Sequence, residues 1–201
     1  MNPEPAQRLL SESELGSCFR PRDAEEVGID YHQLRRLEET GIVERERRGL
    51  YRRTDVNPTR FSDLAAVCAQ VPDAVVCLLT ALTVHEIGTQ LPARIWIAIP
   101  QGRRTPALAR SGLEIVRFSG LPLRYGVVDA EFEGVSARIT NPARTVVDCF
   151  RFRNRIGVHI AYEALDDVLA QRLATRDEIW RTAAVCRAKS LIEPILDARA
   201  Y

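Results

Sequence analysis

The sequence predicts an α+β protein, in which an N-terminal winged helix-turn-helix is followed by a mixed or antiparallel sheet domain covered by helices. Residues 22–53 combine two short helical patterns with an arginine-rich hairpin. Between residues 94 and 139, four apolar or alternating runs are typical of strands, and helical spacing returns after residue 141. The polar segment Thr54–Thr59, which contains a proline, is expected to link a first domain, residues 1–57, to a second, residues 58–201.

The helix-turn-helix is expected to begin with a short helix that Asp23 caps. Gly28 ends that helix, because glycine adopts left-handed backbone angles at little cost. Asp30 offers the side-chain acceptor that begins a second helix, expected over residues 31–40. Helical spacing puts Tyr31, Leu34 and Leu37 on an inward face. The polar side of this helix supplies four candidate base-reading residues: His32, Gln33, Arg35 and Arg36.

The hairpin that follows is the predicted wing. Two strand-like runs, residues 42–46 and 50–53, flank Arg47-Arg48-Gly49, which is expected to form a three-residue loop. Residues 42–53 hold five arginines and two glutamates, an excess that suits contacts with DNA phosphates. The candidate phosphate contacts are Arg45, Arg47, Arg48, Arg52 and Arg53. The alternative is a solvated arginine-rich surface that binds nothing.

The second domain is expected to place a sheet among helices. Helices are predicted over residues 61–70 and 74–86, and strands over residues 94–99, 113–119, 127–132 and 135–139, with Glu133-Gly134 as a hairpin turn. Asn141 and Pro142 begin a helix that reaches residue 152, and further helices are expected over residues 157–170, 175–186 and 190–198. His85 is expected at a helix end, with its ring bonded to a backbone carbonyl.

A second basic region runs from residue 94 to residue 124. It contains six arginines and a single acid, Glu114. Contacts with DNA phosphates, an acidic protein partner and a merely solvated surface are three open interpretations of this charge. The six residues are Arg94, Arg103, Arg104, Arg110, Arg117 and Arg124.

Composition narrows the function classes. The formal net charge of the 201 residues is +1, so binding of nucleic acid must depend on local patches. The five cysteines are scattered, which favours reduced core residues in a cytoplasmic protein. No stretch has the length or composition of a membrane span or a signal peptide. Because no phosphate-binding loop, nucleophile elbow or H-E-x-x-H motif occurs, we expect no catalytic residue, no metal site and no cofactor.

Three longer motifs resemble a known family. They are Leu82–Pro92 (LTVHEIGTQLP), Ile95–Pro100 (IWIAIP) and Thr140–Phe150 (TNPARTVVDCF), continued by Arg151–Gly157. Together with the winged segment they resemble the AbiEi family of antitoxins from type IV toxin-antitoxin systems. The resemblance implies a bacterial repressor of its own operon that binds double-stranded promoter DNA and opposes a nucleotidyltransferase-type toxin.

How the toxin is opposed stays open in the sequence. The second domain is either a protein-interaction module that docks on the toxin, an enzyme that covalently modifies it, or an indirect antagonist. We favour a protein without enzymatic activity, because no nucleotide-binding motif is present. Neither the operator sequence nor the oligomeric state can be read from the chain.

Overall fold

The computed structural model describes residues 4–106 and 112–198, which fall into two compact units. The first unit comprises residues 1–72 and 129–137, and the second comprises residues 73–128 and 138–201. The predicted division into a DNA-binding domain, residues 1–57, and a second domain, residues 58–201, stays a prediction. The first unit contains α1 (Glu4–Glu12), β1 (Cys18–Phe19), α2 (Pro21–Glu26), α3 (Tyr31–Glu39), β2 (Val43–Arg47), β3 (Leu50–Arg53) and α4 (Ser62–Gln70).

The first unit is a winged helix-turn-helix, which confirms the predicted fold class for this part. Its three strands form an antiparallel sheet in the order β1-β3-β2. Residues 27–30 form the turn between α2 and α3, and the β2-β3 hairpin is the wing. The buried side chains of Phe19, Ile29, Leu34, Leu37 and Val43 form the centre of its core. Burial of each such side chain contributes about 1.5–3 kcal/mol to the stability of the folded unit. Because Leu34 and Leu37 belong to α3, this core holds α3 against the sheet.

The two helices begin differently from each other. Asp23 does not cap α2, so that prediction is wrong: α2 begins two residues earlier at Pro21, and Asp23 accepts hydrogen bonds from the Arg20 backbone (2.8 Å) and guanidinium group (2.6 Å). Asp30 does cap α3, as predicted. Its carboxylate accepts from the Gln33 backbone at 2.8 Å, and the Gln33 side chain accepts from the Asp30 backbone at 2.8 Å.

Two further expectations for this unit are wrong. Tyr31 is 62% exposed, because the first position of α3 extends past the edge of the core that Leu34 and Leu37 fill. The wing closes with a two-residue turn, Arg48-Gly49, since Arg47 pairs directly with Leu50. A bulge between Arg45 and Arg47 absorbs the extra residue.

The second sheet has five strands in the order β6-β5-β4-β8-β7. The strands are β4 (Val75–Val76), β5 (Ile95–Pro100), β6 (Leu113–Phe118), β7 (Val127–Phe132) and β8 (Val135–Thr140). It is a mixed sheet, because β4 pairs antiparallel with β5 but parallel with β8, and β5 pairs parallel with β6. The helix predicted over residues 74–86 is therefore wrong in its first turn, where Val75 and Val76 form the short central strand.

Helices of the second unit share an apolar core. They are α5 (Leu78–Val84), α6 (Pro142–Arg151), α7 (Arg153–Ile156), α8 (Val158–Ala170), α9 (Arg176–Val185) and α10 (Lys189–Asp197). Helix α6 contributes Val146, Val147 and Phe150, all fully buried. As predicted, Asn141 caps α6 by accepting from the Arg144 backbone at 2.9 Å. Over the described ranges, the longest helix has 13 residues and none is able to span a bilayer.

Two sequence motifs have structural roles in the second unit. In the Leu82–Pro92 motif, the His85 ring bonds the Thr140 carbonyl (Nε2 to O, 2.7 Å), as expected for a histidine at a helix end. In the Thr140–Phe150 motif, the fully buried Arg144 donates to Asp148 at 2.7 Å, and Asp148 also accepts from Arg151 at 2.9 Å. These motifs therefore hold the helices and loops of the unit in place.

The turn between β7 and β8 groups with the first unit. The Glu133 carboxylate accepts hydrogen bonds from Ser62 Oγ (2.5 Å), the Thr59 backbone (2.7 Å) and Ser17 Oγ (2.7 Å). It also pairs with Arg52 of β3 at 3.5 Å. Burial by itself would raise the pKa of Glu133, but these hydrogen bonds outweigh it and lower the pKa to about 2. Glu133 thus connects the start of β1, the wing strand β3 and the start of α4 through its hydrogen bonds and ion pair.

Candidate nucleic-acid interface

The first turn of α3 is fixed by the capping box between Asp30 and Gln33. Gln33, one of the predicted base-reading residues, is half-buried and uses its side-chain carbonyl in this cap. His32 is exposed beside it, and its ring meets the Tyr31 ring edge to face at 5.8 Å. The end of the helix that enters a major groove in helix-turn-helix proteins therefore presents an aromatic pair.

One turn further along α3, the two predicted arginines differ. Arg35 is exposed and pairs with Glu39 at 3.0 Å, with 66% and 61% of the two side chains in solvent. Such an exposed pair is worth at most about 1 kcal/mol, so it leaves the guanidinium group available to a stronger acceptor. Arg36 is half-buried and lies closer to the core.

The wing presents three of its five arginines outward. Arg45 and Arg48 are exposed and make no ion pair within the described part of the chain. Arg47 is half-buried and pairs with the neighbouring Glu46 at 3.0 Å. The turn places Arg48 at the outermost point of the hairpin, where Gly49 has the positive φ of 76° that the turn requires. This arrangement gives a basic tip beside the exposed face of α3.

The other two wing arginines are used inside the first unit. Arg52 is 15% exposed and pairs with Glu46 at 2.9 Å as well as with Glu133. Arg53 is 13% exposed, pairs with Asp55 at 2.8 Å and donates to the Leu10 carbonyl at 3.2 Å. Both were predicted as phosphate contacts. Because their donors are occupied by internal acceptors, we leave them out of the candidate interface.

The second basic region lies in the second unit and is partly neutralised. Arg94 pairs with Glu114 at 3.1 Å, Arg103 pairs with Asp73, and Arg117 donates to the carbonyl of Arg103 at 2.7 Å. Arg104 and Arg124 are exposed. Arg110, the sixth predicted residue, lies outside the described residues. Arg94, Arg103 and Arg117 thus each have a separate local partner.

Sequence reasoning missed two residues that matter for this surface. Tyr31 was assigned to the core by its helical spacing, and its position at the very start of α3 was the signal against that. Glu133 was predicted only as part of the hairpin turn Glu133-Gly134. Its role depends on Ser17, Arg52 and Ser62, which are distant in sequence, and so no local pattern predicted it.

The cysteines take no part in this surface. All five are buried and unpaired to one another. Burial raises the pKa of Cys18 and of Cys68 to about 12, so both thiols stay protonated at neutral pH. Within residues 4–106 and 112–198, no three histidine, cysteine or carboxylate side chains come together as a metal-binding group.

Comparisons with known proteins bear on the first unit most directly. Residues 7–54 match the model of a family described as transcriptional regulator, AbiEi antitoxin. The family resemblance inferred from the sequence is thereby confirmed for this segment, although the motifs that first suggested it, residues 82–157, lie outside the match. No curated protein matches the sequence.

Among solved structures, the crystal structure of the RV2827C protein from Mycobacterium tuberculosis has a TM-score of 0.58 with this chain. The match covers 90% of this chain and 70% of that one, at 15% sequence identity. At this identity the likeness concerns the fold alone. It supports the α+β architecture over nearly the whole length of the chain.

Proposed function

We propose that this chain, whose residues 7–54 match a family of AbiEi antitoxin transcriptional regulators, binds double-stranded promoter DNA and represses its own operon. The main support is that the matched residues, 7–54, cover the elements from α1 to the wing, which together form the winged helix-turn-helix. In proteins with this arrangement, the second helix of the motif reads the major groove.

Helix α3 is the proposed reading helix. His32 and Arg35 lie on its exposed face, and both side chains end in donors that match acceptors on base edges. The Arg35–Glu39 pair is exposed and contributes little, and a guanine edge or a phosphate can accept two parallel hydrogen bonds from the guanidinium group. Arg36 contributes from its half-buried position at the margin of this face.

The wing is the proposed phosphate clamp. Arg45 and Arg48 carry exposed guanidinium groups, and Arg47 stands between them with a side chain that is 36% exposed. Phosphate contacts of this kind orient a protein on the duplex and supply affinity that does not depend on sequence. Arg52 and Arg53 support the wing from inside through their internal ion pairs.

Replacement of Arg35 tests the reading helix. In mobility-shift titrations with a duplex from the promoter of this gene, Arg35→Ala is expected to weaken binding about 5- to 150-fold, as for loss of one bidentate base contact. Arg181→Ala is the matched control, because the Arg181–Asp177 pair has the same spacing and the same 66% and 61% exposure but lies in the second unit. Equal affinities of Arg35→Ala and Arg181→Ala would remove α3 from the interface.

We also propose that the protein counteracts a nucleotidyltransferase-type toxin as part of a type IV system. The support is the antitoxin description of the matched family and the resemblance of residues 82–157. Docking on the toxin, covalent modification of the toxin and indirect antagonism are the three routes. Co-expression with the product of the adjacent gene separates them: co-purification indicates docking, a mass change of the toxin indicates modification, and rescue of growth without either indicates indirect antagonism.

A further inference from the structure

A pocket of about 290 Å³ opens on the second unit, at the start of α6 and beside α9. Its walls include the small apolar residues Pro142, Ala143 and Ala174. Two large apolar side chains, Tyr125 (39% exposed) and Leu173 (40% exposed), line its mouth. Leu121, 74% exposed, lies one turn before Tyr125, whose backbone donates to the Leu121 carbonyl at 2.9 Å. Large apolar side chains grouped around a concavity are typical of a binding surface.

The Thr140–Phe150 motif builds this pocket and keeps it rigid. Asn141, Pro142 and Ala143 line it directly. Arg144, the next residue, is fully buried and donates to the carbonyls of Pro122 and Tyr125, both at 2.7 Å, so it fixes the turn that carries Leu121 and Tyr125.

A tight approach of the backbone adds to this rigidity. A Cβ on Gly126 would lie 2.8 Å from the Cβ of Arg144, so only glycine fits there. Burying an arginine and its Asp148 partner is costly, and apolar residues of similar volume would often stabilise a helix bundle as well or better. The buried Arg144 instead holds in place the exposed turn that carries Leu121 and Tyr125.

The charged residues that line the pocket, Glu178 and Arg181, balance each other, and two further arginines lie next to lining residues in the chain. Arg124 and Arg172 flank Tyr125 and Leu173 in the chain, are exposed, and have no ion-pair partner among the described residues. The nearby acids are already occupied. Asp177 pairs with Arg181 at 2.6 Å, and Glu178 accepts from the backbone of Thr175, the N-cap of α9, at 2.7 Å.

We propose that this pocket is the docking site for an acidic segment of a protein partner, with one leucine or aromatic side chain as its anchor. The anchor enters between Tyr125 and Leu173, and the flanking carboxylates meet Arg124 and Arg172. A nucleic acid does not fit this description, because phosphates gain nothing from the exposed apolar side chains of Tyr125 and Leu173. The proposal is independent of DNA binding, which uses residues of the first unit.

Selection of peptides tests the proposal. Random 12-residue peptides displayed on phage are selected on the full-length chain, and the enriched peptides are synthesised and titrated by fluorescence anisotropy. We expect a leucine or aromatic residue flanked by aspartate or glutamate, with affinity that falls as salt is raised. Leu173→Asp and Arg172→Glu are expected to weaken these peptides at least about tenfold, because both place a negative charge at the site.

Leu91→Asp is the control, since Leu91 is 88% exposed in the same unit but does not line the pocket. Thermal unfolding curves show whether each variant stays folded, and both test positions are at the surface. Enriched peptides that are basic, or that bind Leu173→Asp as tightly as the wild type, overturn the proposal. A dimer in sedimentation that Leu173→Asp dissociates also overturns it, because the occupant is then a second copy of the chain.

Discussion

Glu133 gives the sharpest quantitative prediction, because one carboxylate joins four parts of the first unit. Its side chain is 3% exposed and accepts three short hydrogen bonds besides its pair with Arg52. Its pKa falls from the ordinary 4.5 to about 2. At about 1.4 kcal/mol per pH unit, the ionised carboxylate stabilises the folded first unit by about 3 kcal/mol.

The dependence on pH follows from the direction of this pKa change. A lowered pKa in the folded state gives stability that is fully present above pH 4.5 and is lost as the pH falls towards 2. Glu133→Gln keeps the size of the side chain and removes the titration. We therefore expect it to destabilise the first unit by about 3 kcal/mol at pH 7, and the difference from wild type to shrink steadily below pH 4.5.

The assay must report on the first unit alone. Both tryptophans, Trp96 and Trp180, lie in the second unit, so tryptophan fluorescence does not serve. Amide hydrogen exchange followed by mass spectrometry resolves peptides from residues 43–53, with peptides from residues 142–151 as an internal reference. Glu131→Gln is the matched control, because Glu131 is exposed on the same hairpin. A difference below about 1 kcal/mol, or one that does not change between pH 7 and pH 3, would refute the reasoning.

Three other predictions test the wing and the second unit. Arg48→Ala is expected to lower affinity for all duplexes alike and to reduce the slope of log K against log salt by about one; an unchanged slope would place the wing tip away from phosphate. Arg144→Met is expected to destabilise the second unit by about 3–5 kcal/mol, because Asp148 keeps only Arg151 as a cation, and urea unfolding followed by tryptophan fluorescence measures this. If Arg144→Met unfolds at the wild-type midpoint, the buried pair is not a structural element. Asn141→Ala removes the cap of α6 and is expected to cost about 1 kcal/mol in the same assay, whereas a neutral result would mean that Pro142 alone sets the start of the helix.

Local chemistry explains what could be read from the sequence. The Asp30 cap and the Asn141 cap each depend on residues within three positions of one another, and both were predicted correctly. The α+β fold class followed from the periodicity of apolar residues, which indicates the secondary structure of any segment long enough to show it. The two-residue strand Val75–Val76 was too short to show a period, and it was predicted as helix.

Only the tertiary structure decided which charged residues are available to a ligand. In the sequence the five wing arginines are equivalent, yet Arg52 and Arg53 are taken up by Glu133 and Asp55 while Arg48 stays in solvent. Ion pairs form between groups that the fold brings within a few ångströms, and Glu133 stands 81 positions after Arg52 in the numbering. The sequence by itself determined most of the helices and strands and the caps at Asp30 and Asn141, because those depend on local contacts. The proposed DNA-binding surface and the pocket beside α9 depend on long-range packing, which no local pattern encodes.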